Sequence, residues 1–192
     1  MMMHRLVPHW LFHPRCCWLY SMPVQAASAL AEPAASNAAS VPHFRWATAD
    51  DRVALEQQAG PEVVKHRLEA GHRAATLWLD EKLIGTAWFA RDLYFDDETT
   101  TTITLSPSQC WLFGSGVHRD HRNQGHYKRI ITSAYAELQS TGVSEILFAV
   151  DASNFISQAA HRSLGAKRAG SLVGLRIFGL PLYRVRHHSL QN

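Results

Sequence analysis

The residues best suited to a chemical function form one basic segment, residues 117–129, with the sequence VHRDHRNQGHYKR. Its three arginines and Lys128 are opposed by a single acid, Asp120. The segment follows a strand-like run and opens a helical pattern, and the first amides of a helix lack internal partners and attract anions. Gly125 has no side chain and lets a phosphate approach the backbone. The segment therefore predicts a diphosphate-binding loop, and the alternative is an ordinary solvated helix start. A P-loop is excluded, because no Gly-Lys-Ser/Thr follows.

The elements that must position this segment are predicted from hydrophobic periodicity and turn residues. The polar stretch from Asp92 to Thr102 is predicted to be a loop. Helices are predicted from Thr48 or Asp50 to Gln58, after Gly60-Pro61, around Ile130–Leu138 and at Asn154–Leu164. Strands are predicted at residues 43–47, 74–79, 83–90, 101–105, 109–117, 145–150, 171–177 and 182–186.

The apolar run from Glu145 to Val150 is typical of a parallel strand that is buried on both faces. It belongs to a strand–helix–strand–helix unit, which requires a right-handed crossover. Such a crossover places the helix starts at one end of the sheet. We therefore expect a mixed α/β fold in which the basic segment, as a helix start, lies at one end of the sheet.

The chain of 192 residues has the length of one domain with a tail. We predict that residues 1–40 are a disordered N-terminal extension, because their apolar runs are interrupted and a stretch of Ala, Ser, Pro, Gln and Asn cannot offset chain entropy. Residues 41–192 are predicted to be the folded domain. Translation from Met22 and a cleaved targeting peptide are the open alternatives for the extension.

Composition and charge argue against several classes of protein. The formal net charge of +3 is too small to indicate nucleic-acid binding, and no apolar run reaches the roughly 18 residues that span a bilayer. The histidines are scattered and predict no metal site. The cysteines Cys16, Cys17 and Cys110 form no disulfide framework, so we expect a reducing compartment, the cytoplasm.

Residues 122–127, RNQGHY, resemble the Arg/Gln-x-x-Gly-x-Gly/Ala motif of the GNAT N-acetyltransferase superfamily. The sequence from Asn154 to Ala166 is similar to the family's Asn-x-x-Ala/Ser-x-x-x-Tyr-x-x-x-Gly-Phe motif. The two motifs occur in the family's order, and the resemblance covers roughly residues 43–187. It implies an α/β (α+β) fold: a mixed, mostly antiparallel sheet with a parallel, splayed central strand pair, flanked by helices.

The resemblance also implies acetyl-CoA as co-substrate, without a metal. In this family the first motif binds the coenzyme A diphosphate through backbone amides. The strand before it carries a bulge and bonds to the pantetheine arm, a position that suits Gly114 and Gly116. The coenzyme contacts implied for this chain are Val117, Arg122, Asn123, Gln124, Gly125, His126, Tyr127, Asn154 and Ser157.

The catalytic residues are harder to assign, because the chain departs from the family pattern. His161 stands where many members have the tyrosine that protonates the departing thiolate, and histidine can carry that proton near neutral pH. The usual strand carboxylate is missing, since residues 106–118 contain no Asp or Glu. Asp151, His118 and His121 are the candidates for a general base. We predict catalytic roles for His161 and Asp151.

These features favour an acyl-CoA-dependent N-acyltransferase that transfers an acetyl group to an amine by direct attack. We expect a small-molecule or protein amine as acceptor, a monomer or homodimer, and neither nucleic acid nor membrane as partner. The alternative is a catalytically inactive acyl-CoA-binding sensor or regulatory module, which the missing carboxylate and tyrosine favour. A third reading is an anion-binding or nucleic-acid-binding domain that uses the same basic loop.

Overall fold

The computed structural model describes residues 12–24, 41–96, 101–177 and 180–187. The helices in these ranges are α1 (Arg52–Ala59), α2 (Pro61–Glu69), α3 (His126–Ser140) and α4 (Phe155–Ser163). The strands are β1 (Phe12–Pro23), β2 (His43–Trp46), β3 (Arg73–Leu79), β4 (Lys82–Ala90), β5 (Leu93–Asp96), β6 (Thr101–Thr104), β7 (Gln109–Val117), β8 (Glu145–Asp151), β9 (Lys167–Ile177) and β10 (Leu180–His187).

One eight-stranded sheet organises the fold, in the order β10-β9-β1-β8-β7-β4-β3-β2. Its neighbouring strands are antiparallel except for β7 and β8, which are parallel. Helix α3 provides the crossover between these two strands, as a parallel connection requires. The predicted mixed α/β class, with a mostly antiparallel sheet and a central parallel pair, is confirmed.

The two faces of the sheet bury separate apolar clusters. Ile130, Ile131 and Tyr135 of α3 pack with one face, where Leu77 of β3 also lies. The next residue of β3, Trp78, belongs to the opposite cluster with residues of α1 and α2. This alternation follows from the two-residue period of side chains along a strand. Helices α1 and α2 therefore cover one face, and α3 covers the other.

Strand β1 lies inside the sheet, hydrogen-bonded to both β8 and β9. The prediction that residues 1–40 are disordered is therefore wrong for residues 12–24, and the rest of that segment lies outside the described residues. Leu19 and Met22 are 7% and 0% exposed, and they contribute to the clusters on opposite faces. A strand that is buried on both faces usually shows an almost continuous apolar run in the sequence. The polar residues and prolines that interrupt this segment therefore prevented its recognition as such a strand.

The segment after β4 also differs from the prediction of a loop. β5 pairs with β6 in a separate two-stranded sheet. Tyr94 stacks on Trp111 with a centroid distance of 5.5 Å, whereas its neighbours Leu93 and Phe95 are exposed. This alternation makes the segment a strand, although its surrounding residues are polar. Residues 97–100, which include the acidic residues Asp97 and Glu98, lie outside the described residues.

Candidate active site

A cleft opens where β7 and β8 separate. The two strands pair only from Gln109 to Trp111. Beyond that point β7 continues beside β4, and the register between them slips so that β7 bulges. Gly114 lies in this bulge with a φ of +51°, a value that side-chain-bearing residues rarely adopt. The splayed parallel pair and the bulge, both implied by the resemblance, are confirmed.

The loop between β7 and α3 presents an unusual run of backbone amides. Asn123 and Gly125 have positive φ angles of 61° and 77°, and Gly125 is the N-cap of α3 without a side-chain cap. Among the described residues, no backbone carbonyl accepts from the amides of residues 123–128. The Nε of Arg122 donates to the carbonyl of Val117 at 3.1 Å, which holds the loop against the strand end. This arrangement is suited to bind an anion.

The surroundings of the loop favour a negative guest. Arg122 and Arg119 line the neighbouring cavity, and Lys128 follows in the first turn of α3. Burial, followed by repulsion from His121 and Arg129, lowers the pKa of His126, so its neutral form is favoured without a bound anion. A Cβ at Gly125 would meet no atom within 4 Å, so the space above the glycine is open. The residues of the loop therefore fit a diphosphate.

A cavity of about 500 Å³ adjoins the bulge of β7 on the face that α1 and α2 cover. Its wall includes the β7 backbone from Gly114 to Val117 and the side chains of Gln58, Thr86 and Trp88. The Thr86 hydroxyl donates to Oε1 of Gln58 at 3.2 Å, which fixes these two polar groups. The cavity and the loop are continuous, because Arg119 and Arg122 belong to the same wall.

His161 does not line the cavity. Its side chain is 4% exposed, and its Nδ1 lies 2.8 Å from the carbonyl of Ser157. A carbonyl only accepts, so Nδ1 carries the proton and Nε2 of the neutral ring accepts from the Tyr127 hydroxyl at 2.7 Å. Burial lowers the pKa of His161, which keeps the ring neutral, and the hydrogen bond to Ser157 opposes this effect.

Tyr127 connects His161 to the cavity. Its hydroxyl lies 3.1 Å from Oγ of Ser115, which lines the cavity. Because the Tyr127 hydrogen is directed to His161, the serine hydroxyl is the donor to the tyrosine oxygen. Burial raises the pKa of Tyr127 to about 12. The structure thus joins Ser115, Tyr127 and His161 in one hydrogen-bonded chain.

The remaining predicted residues lie at the N-terminus of α4. Asn154 caps this helix through Oδ1, which accepts from the Ser157 amide at 3.0 Å. Ser157 also holds His161, as described above. Asp151 ends β8 and accepts from the amide and the hydroxyl of Ser153 at 2.8 and 2.5 Å. The hydrogen bond from the Ser153 side chain is the main reason that the pKa of Asp151 is lowered.

Among the residues that line the cavity and that sequence reasoning missed, Ser115 and Arg67 matter most for the chemistry. Ser115 stands between two glycines in the bulged strand, a position that marks close backbone approach and gave the available signal. Arg67 has helical spacing with Val64, which indicates only a place on the packed face of α2. Its guanidinium lies over Trp88 and Phe113, 5.1 and 5.2 Å from the ring centroids. This contact depends on the tertiary structure alone.

The described part of the chain keeps its potential metal ligands apart. No group of three or more His, Cys, Asp or Glu side chains there is arranged to hold a metal ion. No described helix has both the length and the apolar character that crossing a membrane requires. Cys16, Cys17 and Cys110 are free, and burial raises the pKa of Cys110 to about 12, so its thiol stays protonated.

Solved structures with the same architecture support this description of the fold. A functionally unknown conserved protein from Staphylococcus epidermidis aligns with a TM-score of 0.59 at 10% identity, over 83% of this chain and 60% of that protein. This chain therefore spans less than two thirds of that protein's length. A GNAT-family protein from Novosphingobium aromaticivorans aligns with a TM-score of 0.57 at 13% identity, over 84% of this chain and 63% of its own.

The aminoglycoside N-acetyltransferase AAC(6')-Iy, solved in complex with CoA, aligns with a TM-score of 0.53 at 20% identity. The alignment covers 68% of this chain and 90% of that enzyme. At these identities the structural likeness shows the fold alone. None of the curated protein sequences matches the chain. The family model described as the acetyltransferase (GNAT) family, however, matches residues 37–166, more than half of the chain. The chain therefore belongs to the GNAT acetyltransferase family.

Proposed function

We propose that this protein is an acyl-CoA-dependent N-acyltransferase that transfers the acetyl group of acetyl-CoA to an amine by direct attack. The observation that carries this proposal is the run of amides at residues 123–128, which follows β7, the strand that separates from β8 beyond Trp111. An anion-binding loop, a splayed strand and an adjoining cavity occur together at one place. A diphosphate with an extended arm and a reactive end fits this combination.

The residues that would hold the coenzyme follow from this placement. The amides of residues 123–128 would bind the diphosphate, with Arg122 near its charge and Val117 at the strand end. The backbone of β7 would pair with the pantetheine arm. Asn154 uses its oxygen to cap α4, and its amide nitrogen makes no hydrogen bond within the described residues. That nitrogen, with Ser157 beside it, is the proposed second contact to the arm.

The chemistry of the transfer requires one net proton movement. The thioester supplies an activated acyl group, a C–N bond forms, and a C–S bond breaks. The amine nitrogen loses one proton, and the thiolate gains one. We propose that the chain Ser115–Tyr127–His161 carries this proton, because its hydrogen bonds run from the cavity to the unprotonated Nε2 of His161. The same chain in reverse returns the proton to the thiolate.

In this proposal His161 exchanges the proton through Tyr127 and not directly with the substrates, because its imidazole is buried. The general-base role of Asp151 stays a prediction. Its lowered pKa makes it a weaker base than an ordinary aspartate. Its hydrogen bonds from Ser153 also stabilise the turn before α4. The cytoplasm as compartment and the monomer or homodimer as assembly also stay predictions.

The test of the proposed function is calorimetric titration of the full-length chain with acetyl-CoA. The wild type is compared with Gly125→Glu, which adds bulk and negative charge to the loop. Gly142→Glu is the matched control, because Gly142 has a similar φ of +84°, equally open surroundings, and a position just beyond the opposite end of α3. We expect binding in the wild type and the control, and a loss of about 100-fold or more in Gly125→Glu from anion repulsion.

The titration is followed by an assay of thiol release on a panel of amines. Binding with amine-dependent thiol release supports the acyltransferase. Binding without release on any amine favours the catalytically inactive sensor. Equal affinity in all three proteins, or no binding by a folded wild type, contradicts the proposed coenzyme loop. The full chain is essential in this experiment, because a fragment that begins at residue 41 would lack β1.

A further inference from the structure

The cavity carries positive charge at a second place, away from the loop. Arg67 of α2 reaches the bulge of β7, where a Cβ added to Gly114 would lie 2.9 Å from its Nη1. Gly114 precedes Val117 by three residues, so about 10 Å of extended strand separates Arg67 from the loop end of β7. A diphosphate on the loop therefore leaves Arg67 to another anion.

Arg67 is held in place by aromatic rings, and no described carboxylate neutralises its charge; only Tyr94 interacts with that charge favourably. Its guanidinium packs over Trp88 and Phe113, within the distance of a cation–π contact. No ion pair among the described residues includes it, and no described group accepts a hydrogen bond from it. Burial lowers the pKa of Arg67, yet a guanidinium stays charged in proteins. Its donor edge is available to the cavity that it lines.

The rest of the cavity wall does not supply negative charge. None of the described residues that line it is an aspartate or a glutamate, and its polar side chains other than the arginines are Gln57, Gln58, Thr86, Ser115 and His118. A polycationic amine would meet repulsion from Arg67 and no compensating carboxylate. A planar guanidinium on a rigid aromatic support is, by contrast, preorganised for a carboxylate, which it binds through two parallel hydrogen bonds.

We propose that Arg67 binds a carboxylate of the acceptor, so that the substrate is an amine that carries a carboxylate group. This inference rests on the proposed acyl transfer at the same cavity and specifies its second substrate. The guanidinium fixes the acceptor on the α2 side of β7, with the amine turned to the strand opening. The site selects against polycations because three arginines line it, Arg67, Arg119 and Arg122, and none of the described lining residues is an acid.

The experiment compares amino acids with the amines that differ only by loss of the carboxylate: phenylalanine with phenethylamine, lysine with cadaverine, and histidine with histamine. Spermidine represents the polycations. Acceptor-dependent thiol release is measured for wild type, Arg67→Gln and the control Arg73→Gln. Arg73 also packs on an aromatic ring, at 4.1 Å from Trp46, but does not line the cavity. Calorimetric titration of each acceptor, with and without CoA, gives a readout that needs no turnover.

We expect the carboxylate-bearing member of at least one pair to be preferred about 30-fold or more, as for a desolvated charge pair. Arg67→Gln should abolish that preference and Arg73→Gln should retain it, while both keep the acetyl-CoA affinity of the wild type. The proposal is overturned by preference for the decarboxylated amines or spermidine, by a preference that survives in Arg67→Gln, or by no carboxylate binding in calorimetry. Loss of acetyl-CoA binding in the wild type is a separate result, which would contradict the coenzyme loop instead.

Discussion

The hydroxyl of Tyr127 lies between a serine at the cavity and a histidine in the core. Its position is set by the first turn of α3, which also supplies amides to the proposed diphosphate site. The family motif has a small residue at this place, and the tyrosine here extends past the loop to His161. One residue thus links the proposed coenzyme site to the proposed proton path.

At this scale we predict the effect of Tyr127→Phe, which removes one hydroxyl and breaks the chain. The value of kcat should fall about 100-fold, as when a general acid–base group is lost, while acetyl-CoA affinity stays within about twofold. The wild-type rate should fall on the acid side as His161 becomes protonated. That limb lies below pH 6.5 because burial lowers the pKa of His161. Steady-state kinetics between pH 5 and 9 measure both effects, and the variant should lose this acid limb.

The matched control is Tyr135→Phe in the same helix. The Tyr135 hydroxyl is buried and has no hydrogen-bond partner among the described residues, so its removal should leave activity unchanged and stability unchanged or raised. Equal kcat values for Tyr127→Phe and wild type would contradict the proton path. An unchanged acid limb in Tyr127→Phe would assign the titration to another group.

At the scale of the element, β7 has the largest share in the site. Its first residues pair with β8, its middle bulges against β4, and its end leads into the basic loop. The bulge depends on Gly114, whose left-handed conformation costs a side-chain-bearing residue about 1 kcal/mol. The same glycine leaves room for the Arg67 guanidinium. Strand geometry and acceptor site are therefore coupled at this residue.

We predict that Gly114→Ala lowers the free energy of unfolding by about 1–2 kcal/mol, from backbone strain and displacement of Arg67. The KM for a carboxylate-bearing acceptor should rise in the same variant. Gly116→Ala is the control, because Gly116 lies in the same strand with an ordinary φ and an added Cβ would meet no atom within 4 Å. Denaturant unfolding and acceptor kinetics measure both changes. Indistinguishable stabilities of the two variants would show that the bulge does not need a glycine.

At the scale of the whole molecule, β1 joins the pair β9 and β10 to the other strands of the sheet. It separates β8 from β9, which are consecutive strands joined by α4. Tyr20 of β1 stacks on Phe148 of β8 with a centroid distance of 5.5 Å, and its hydroxyl bonds to Gln158 of α4 at 3.3 Å. Thus an N-terminal strand supports the helix that carries Asn154, Ser157 and His161.

We predict that Met22→Ala lowers the free energy of unfolding by about 2–5 kcal/mol, because Met22 is fully buried and its truncation leaves a cavity. Val53→Ala is the control, since Val53 is 65% exposed on α1 and its truncation should change stability by about 0.5 kcal/mol or less. Urea titration followed by circular dichroism gives both values. A change below 0.5 kcal/mol in Met22→Ala would contradict the burial of β1 in the sheet.

The local sequence was sufficient to predict the helices and strands around the basic loop. It was also sufficient to predict the family of the protein. Gly125 in a basic segment before a helical pattern predicted the loop, and the residues from Asn154 to Leu164 predicted α4, because both signals depend on a few adjacent residues. The apolar period of residues 130–138 predicted the buried face of α3, and the run 145–150 predicted a central parallel strand. In each case the residues carry their own conformational preference.

The tertiary structure alone decided what depends on partners far along the chain. β1 could not be recognised, because its pairing with β8 and β9 outweighs its interrupted pattern. Arg67 reaches Phe113 and Tyr127 reaches His161 across long sequence separations, and no local signal encodes these contacts. The sequence therefore predicted the basic loop at which we propose that a coenzyme A diphosphate binds. The charge of the proposed acceptor pocket and the proposed path of the proton depend on contacts that form only when the helices pack on the sheet.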